Sequence, residues 1–281
     1  MPFVAIVGSG PLGGTIAHKL AVRGRVREVR LIDAQERVAQ GKALDILQSS
    51  PIEGFCTHVV GTGSLAAVSG AAAVVIADQA GTGEEHAGES GLALVRQIAG
   101  IEGTAPIVFA GAAQRELIAR AAGELSIASA RLVGSVPFAL ESALRSLAGL
   151  SMDISGVEIG LTIVGVPPGA AVVAWESASL SGQPLTSHVP PHEISMLNSR
   201  LPGLWPPGPY ALASAASRVV EAMVRGSRRR FSCFVAGQRG IVSTMPVELG
   251  PDGVRRVIDP VLTRQERTRL ENSLEGREGG R

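Results

Sequence analysis

Cysteine and long apolar runs are scarce in this chain of 281 residues. Its two cysteines, Cys56 and Cys233, lie far apart without the close spacing of metal ligands, which predicts free thiols in a reducing compartment. The sequence MPFVAIVG enters a strand directly, with no charged leader and no apolar stretch long enough for a signal peptide or a membrane span. We therefore expect a cytoplasmic protein that does not bind a membrane.

An excess of charge of either sign is also missing. The formal net charge is +1, so neither a nucleic-acid surface nor a membrane surface is indicated. Only Lys19 and Lys42 are lysines, and the many arginines are scattered apart from RGSRRR (Arg225–Arg230). We interpret that cluster as a solvated helix end rather than a phosphate site. No metal site is expected, because two prolines interrupt the spacing of His188 and His192.

A glycine-rich turn near the N-terminus carries the strongest functional signal. The apolar run Phe3–Val7 predicts a buried strand, GSGPLGG then places Gly8, Gly10 and Gly13 as G-x-G-x-x-G, and a helical segment follows. A second strand, EVRLID, ends in Asp33. The helix N-terminus can bind a pyrophosphate, and a carboxylate at that strand end can bind a ribose diol while repelling a 2′-phosphate. The pattern predicts an NAD site, with a structural glycine turn as the alternative.

Strands and helices alternate over the first half of the chain, which predicts a parallel, doubly wound sheet. Further strands are predicted at 57–62, 72–77, 106–111 and 130–135, and helices near 36–48, 88–100, 113–123 and 137–149. After residue 150 the pattern changes to two neighbouring antiparallel strands (VEIGLTIVG and AAVVAWESASLSG), helices near 191–200 and 209–226, a three-stranded meander and a closing helix. Thr263 and Glu266 have the spacing of a capping box at the start of that helix.

Several segments together resemble the lactate and malate dehydrogenases, the tetrameric-type malate enzymes most closely. They are VAIVGSGPLGGTIAHKL with LID, GKALDILQSSP (Gly41–Pro51), AAVVIAD…AG and VELGPDGVRRVIDPVLTRQER. The resemblance implies an α/β fold, a Rossmann doubly wound parallel sheet followed by an α+β lactate/malate dehydrogenase C-terminal domain. It implies an NAD-binding domain over 1–136, a substrate domain over 137–275 and a disordered tail at 276–281.

The resemblance also implies NAD as the cofactor and a dimer or tetramer. The residues that it assigns to the nicotinamide dinucleotide are Gly8, Gly10, Pro11, Leu12, Gly13, Asp33, Ala77, Gly81 and Gly111.

The family's catalytic positions are replaced in this sequence. These enzymes transfer hydride between nicotinamide and a 2-oxo acid, with an arginine that binds the substrate carboxylate, a histidine that carries the proton and a loop arginine that polarises the carbonyl. Leu144 stands at the first position, and Pro167 and Pro168 stand at the second. The loop Gly81–Gly91 has no arginine. Since no histidine lies between residues 87 and 187, a shifted alignment does not restore the proton carrier.

Two titratable residues remain as catalytic candidates. Glu141 replaces the aspartate that orients the family's histidine, and we interpret it as a relic that is neutral, wet or paired with Arg145 four residues on. His86 lies on the loop and could form a new acid–base pair with Glu85 or Glu141, although an exposed loop histidine is the plainer interpretation.

Three functions stay open from the sequence. The chain could bind NAD and act as a sensor or regulator, alone or assembled with an active relative. It could be a dehydrogenase with a different, neutral or cationic small-molecule substrate and a relocated acid–base group. It could also be an assembly scaffold without a ligand.

Overall fold

A computed structural model describes residues 2–237 and 240–275 of the chain. Its first half forms six parallel strands in the spatial order β3-β2-β1-β4-β5-β6. The strands are β1 (Phe3–Val7), β2 (Glu28–Ile32), β3 (His58–Thr62), β4 (Ala73–Ile76), β5 (Ile107–Phe109) and β6 (Leu132–Gly134). The predicted doubly wound sheet is confirmed, and the order reverses between β1 and β4, where such sheets form a crevice.

Four helices connect these strands, namely α1 (Pro11–Arg23), α2 (Glu36–Glu53), α3 (Gly88–Ile101) and α4 (Arg115–Glu124). Pro11 starts α1, where a missing N–H is tolerated, and Gly24 ends it in the left-handed conformation. The prediction that α2 ends near residue 48 was wrong. Pro51 lies inside its last turn, and the helix continues until Gly54 adopts a positive φ and donates its N–H to the Ser50 carbonyl.

The second half extends the same sheet. Its helices are α5 (Val136–Met152), α6 (Pro191–Arg200), α7 (Pro209–Arg225) and α8 (Arg264–Leu274). Its strands are β7 (Ile159–Gly160), β8 (Ile163–Val166), β9 (Ala170–Val173), β10 (Ser179–Leu180), β11 (Gln183–Pro184), β12 (Arg230–Ala236), β13 (Val242–Gly250) and β14 (Gly253–Val257). Strand β12 pairs antiparallel with β6, and β13, β8 and β9 follow, with β14 on β13. The proposed tail at 276–281 lies outside the described residues.

The two long strands predicted after residue 150 are interrupted. The predicted antiparallel contact is present between β8 and β9, but β7 and β10 pair with each other and join β11 in a separate three-stranded sheet. A 3-10 turn at Trp175–Ser177 separates β9 from β10.

One apolar core joins the two halves of the large sheet. It includes Phe109 from β5 and Phe234 from β12, both fully buried, and residues of α1 and α7. A smaller core lies between α5, α6 and the β8–β9 region, and includes Leu144 and Trp175. Among the described residues, none of the helices has the length and apolar character needed to cross a membrane.

The last helix is fixed by a capping box, as predicted. The Thr263 hydroxyl accepts a hydrogen bond from the Glu266 N–H at 3.2 Å, and the Glu266 carboxylate accepts one from the Thr263 N–H at 2.7 Å. The same carboxylate accepts a hydrogen bond from the Trp175 N–H at 3.0 Å. Glu266 therefore ties the start of α8 to the end of β9.

Replacing Thr263 with alanine should lower the free energy of unfolding by about 1 kcal/mol, because the Glu266 N–H loses its acceptor at the helix start. Urea unfolding at neutral pH measures this change. Thr268→Ala is the matched control, since that hydroxyl bonds within the helix to the Arg264 carbonyl and is exposed. An equal loss in both variants would contradict a specific role for the cap.

Candidate functional site

The glycine turn lies at the carboxyl edge of β1 and leads into α1. Gly8 has a φ of 105°, and a side chain there would overlap the Asp78 carbonyl. A side chain on Gly13 would overlap the Gly8 carbonyl oxygen. Gly8 is thus required by its backbone conformation and Gly13 by the close approach of the Gly8 backbone, as the sequence pattern indicated.

Asp33 lies at the end of β2, beside this turn, and is buried. Its Oδ2 accepts hydrogen bonds from the N–H groups of Ser9 at 2.8 Å and Ala80 at 2.9 Å. Its Oδ1 accepts one from Gln35 at 2.9 Å. Burial acts to raise the pKa of Asp33, but these backbone hydrogen bonds outweigh it and lower the pKa. Asp33 is therefore a fixed anion that also holds the segment after β4 in place.

Asp78 occupies the N-terminus of α1, which the sequence analysis did not foresee. It follows β4 and is 5% exposed. Its Oδ2 accepts a hydrogen bond from the Leu12 N–H at 2.9 Å, and its Oδ1 accepts one from the Gly13 N–H at 2.8 Å. A side chain on Gly10 would overlap this carboxylate. The N–H groups that the glycine motif offers to a phosphate thus bind a carboxylate of the same chain.

The loop after Asp78 folds back against the same edge of the sheet. Glu85 accepts hydrogen bonds from the N–H groups of Ala112 at 2.7 Å and Ala113 at 2.8 Å, beyond the end of β5. It packs so closely on Gly111 that a side chain there would overlap its carboxylate. Gly81, which has a φ of 81°, supplies one of the turns of this loop.

His86 points into the cleft rather than to solvent. It lines a cavity of about 190 Å³ with Gly8, Asp33 and Gln79, among others. Its Nε2 is buried, and no described residue supplies a hydrogen-bond partner. Burial lowers the pKa of His86, although the charges of Asp33 and Asp78 act to raise it. The interpretation as an exposed loop histidine is therefore wrong.

Glu141 lies on α5 and is 7% exposed. It accepts a hydrogen bond from the Ser232 hydroxyl at 2.7 Å, and the Arg145 guanidinium lies 3.8 Å from it. Burial raises the pKa of Glu141 to about 7, even though the Ser232 hydrogen bond and the charge of Arg145 lower it. The expected i, i+4 pair with Arg145 is present.

The positions that replace the family's substrate residues carry no group that could bind an anion. Leu144 is fully buried in the smaller core. Arg145 donates to the backbone carbonyls of Gly156 and Val157, both at 3.2 Å, so its guanidinium supports the chain after α5. Pro167 and Pro168 form the turn between β8 and β9. Among the described contacts, Arg145 therefore does not take the place of an arginine at position 144.

The residues assigned to the cofactor converge, whereas the catalytic candidates do not. Gly8, Gly10, Pro11, Leu12, Gly13, Asp33, Ala77 and Gly81 meet at the edge where β1, β2 and β4 end, and Gly111 lies at the end of β5. The described hydrogen bonds of Glu141 and Glu85 do not involve His86.

Asp78 is the residue that sequence reasoning missed. It lies two residues beyond β4, and the pairing of β4 with β1 brings it to the start of α1.

Comparison with known proteins agrees with this geometry. Residues 3–106 match the family model of the lactate/malate dehydrogenase NAD-binding domain. A malate dehydrogenase of Thermomicrobium roseum is 27% identical over an alignment of 293 positions, which covers 96% of this chain and 94% of that protein. Residues 3–106 are thus similar to the NAD-binding domain of lactate/malate dehydrogenases, and nearly the whole chain is similar to malate dehydrogenases. Because the model that residues 3–106 match is that of an NAD-binding domain, the cofactor is NAD.

Solved structures of lactate/malate dehydrogenases share the fold. Malate dehydrogenase from Salinibacter ruber superposes with a TM-score of 0.85 at 23% identity, over 98% of this chain and 94% of that one. Lactate dehydrogenase from Cryptosporidium parvum, solved with lactic acid and nicotinamide adenine dinucleotide, gives a TM-score of 0.84 at 21% identity, over 98% and 95% of the two chains.

The glycine turn of this chain fits a dinucleotide in shape, because the side chains that would crowd it are absent at Gly8, Gly10 and Gly13. Asp33 fits a ribose diol in its chemistry. The exception is Asp78, whose carboxylate holds two of the N–H groups that a pyrophosphate would use.

The raised pKa of Glu141 predicts a pH-dependent stability. Between its ordinary pKa of 4.5 and about 7, the unfolded chain releases this proton before the folded chain does. The free energy of unfolding should therefore fall over this window, by on the order of 3 kcal/mol from this group, and the effect is constant above it. In the Glu141→Gln variant, the free energy of unfolding should not show this part of the decrease.

Urea unfolding of both proteins at pH 5 and pH 8 measures the difference. Glu158→Gln controls for the loss of one carboxylate at an exposed position. Parallel pH curves for the native chain and Glu141→Gln would show that Glu141 does not titrate in this range in the folded protein.

Proposed function

We propose that this protein is an NAD(H)-binding member of its family that no longer reduces ordinary 2-oxo acids and serves as a cofactor-dependent sensor or regulator. The observation that carries the proposal is the contrast between two regions. The glycine turn and Asp33 keep the shape and chemistry of a dinucleotide site, while Leu144 and Pro167 replace the groups that bind and protonate the substrate.

The glycine turn and Asp33 would hold the two polar parts of the cofactor. The N–H groups of Leu12 and Gly13 at the start of α1 suit the pyrophosphate, and Asp33 suits the ribose diol and disfavours a 2′-phosphate. Bound nicotinamide supplies hydride transfer in this family. The described side chains of this chain offer no proton donor in the β8–β9 turn to accompany it.

Electrostatics also argue against a 2-oxo acid as substrate. Leu144 cannot bind a carboxylate, and Arg145 is engaged by two backbone carbonyls. The loop brings Glu84 and Glu85 where the family has an arginine. Loss of a general acid–base alone removes about 10²–10⁴ in rate. Losing the bidentate anchor adds a further penalty, because a carboxylate would enter without a partner.

The altered dehydrogenase remains the second candidate, and His86 is the observation that favours it. A histidine that faces the cleft with a lowered pKa is neutral at physiological pH and can accept a proton. However, Glu85 directs both carboxylate oxygens to backbone N–H groups, so it does not orient the imidazole. A conformational change of the loop would be needed before His86 could act.

Assembly and location complete the proposal. A dimer or tetramer, or co-assembly with an active relative, is proposed from the family resemblance and is supported by exposed apolar side chains at Leu44, Ile52 and Tyr210. A cytoplasmic location is proposed because Cys56 and Cys233 are both free thiols.

Calorimetric titration should show saturable binding of NADH with a dissociation constant below about 1 mM, and weaker binding of NADPH because of Asp33. Gly13→Ala should weaken NADH binding at least about tenfold, since its methyl group would displace the Gly8 carbonyl. Gly14→Ala is the matched control, because its methyl group would meet only the flexible Lys42 side chain. Absence of NADH binding at millimolar concentration would leave the ligand-free scaffold as the best account.

Turnover of NADH with oxaloacetate or pyruvate should lie below about 0.1 s⁻¹, followed by absorbance at saturating substrate, because the proton carrier and the anchor are both replaced. His86→Ala should leave this residual rate unchanged. Turnover at the ordinary rate of an enzyme would refute the loss of activity. A rate that falls in His86→Ala would instead support the relocated acid–base group.

A further inference from the structure

The Asp78 carboxylate sits where the proposed function requires the cofactor's pyrophosphate. We propose that Asp78 is a built-in competitor for the dinucleotide, so that NAD(H) binds only when Asp78 leaves the α1 N-terminus. Asp78 would thereby set the cofactor affinity of the cleft and couple cofactor binding to release of the loop that follows it. This inference rests on the proposed function and adds a regulatory residue to the same site.

The contact has the geometry of a bound anion. The two oxygens of Asp78 accept from successive N–H groups, Oδ2 from Leu12 at 2.9 Å and Oδ1 from Gly13 at 2.8 Å. Strand β4, which precedes Asp78, lies next to β1, and the Gly10 N–H donates to the Asp78 carbonyl at 2.9 Å. Since the helix dipole also favours negative charge here, the carboxylate meets the same needs as a phosphate would.

Simultaneous binding of both anions is disfavoured. The described hydrogen-bond and ion-pair partners of Asp78 include no cation that could balance a second negative group. A carboxylate and a pyrophosphate at hydrogen-bond distance from the same N–H groups would repel each other in a buried, low-dielectric site. The cofactor must therefore displace the carboxylate or bind weakly without these donors.

Displacement of the Asp78 carboxylate would also move the loop that follows β4. Two residues beyond Asp78, the Ala80 N–H binds Asp33, and further along, His86 lies in the cleft and Glu85 binds the N–H groups beyond β5. The space that remains around His86 and Asp33 is about 190 Å³, below the roughly 300–1,000 Å³ of typical ligand pockets. Gly81 and Gly88, with φ of 81° and 59°, flank the segment that would have to move.

A purely structural role for Asp78, as a cap for α1, would give the same contacts but a different response to mutation. If Asp78 only stabilises the helix, its removal lowers stability and leaves cofactor binding equal or weaker. If Asp78 competes with the cofactor, its removal strengthens binding even though the fold loses two hydrogen bonds. Affinity and stability therefore change in opposite directions only in the second case.

The experiment titrates NADH into the native chain, Asp78→Ala and Asp78→Asn by calorimetry, with Asp252→Asn as control. Asp252 is an exposed carboxylate in the β13–β14 turn, remote in sequence from the cleft. Asp78→Ala should bind NADH at least about tenfold more tightly than the native chain while its melting temperature is lower. Asp78→Asn, which keeps an acceptor oxygen and the shape, guards against a failure of the alanine variant to fold and should also bind more tightly. The control should match the native chain.

The outcomes separate this inference from the proposed function. Tighter NADH binding by folded Asp78 variants than by the native chain supports the inference. Equal or weaker binding by folded Asp78 variants, with binding by the native chain, overturns the inference and leaves the proposed function standing. Absence of binding in all four proteins overturns both.

Amide hydrogen exchange of the native chain supplies a second readout. NADH at saturation should increase exchange across 79–87, because the loop loses its Asp78 anchor, and should keep Leu12 and Gly13 protected by the new ligand. Increased protection of 79–87 by NADH would mean that the loop closes over the cofactor rather than being released, and would contradict the proposal.

Discussion

The contact between the Asp78 carboxylate and the first N–H groups of α1 organises the cleft of this protein. These N–H groups have no partner within the helix, so an anion must satisfy them from outside. A phosphate of the cofactor can do so, and so can a carboxylate placed at the end of the neighbouring strand. In this chain Asp78 has that position, and the loop after it is held by Asp33 and Glu85.

The positions that the family resemblance assigns to substrate chemistry have other contacts in this structure. Leu144 has become part of an apolar core, and Arg145 braces the chain after α5. Glu141 accepts a hydrogen bond from Ser232, and burial raises its pKa to about 7. The fold and the glycine turn thus agree with the likeness to malate dehydrogenases, while the proposed loss of substrate chemistry concerns a few side chains.

Features that depend on residues close in sequence could be predicted from the sequence. Gly13 and the capping box at Thr263 depend on neighbours a few residues away, so their roles could be inferred from spacing, and the capping box was confirmed. The place of Asp78 depends on the pairing of β1 with β4, and the partner of Glu141 is 91 residues distant in Ser232. Spacing carries no information on such contacts. The sequence predicted a cofactor site at the glycine turn, but not that Asp78 accepts hydrogen bonds from the N–H groups there.

The most direct measurement is a crystal structure of the protein with NADH bound. We expect the pyrophosphate to accept hydrogen bonds from the N–H groups of Leu12 and Gly13. The Asp78 carboxylate should have moved away from them, and His86 should have left the cavity beside Asp33. A complex in which Asp78 keeps both hydrogen bonds while the dinucleotide lies in the cleft would contradict competition for a shared site.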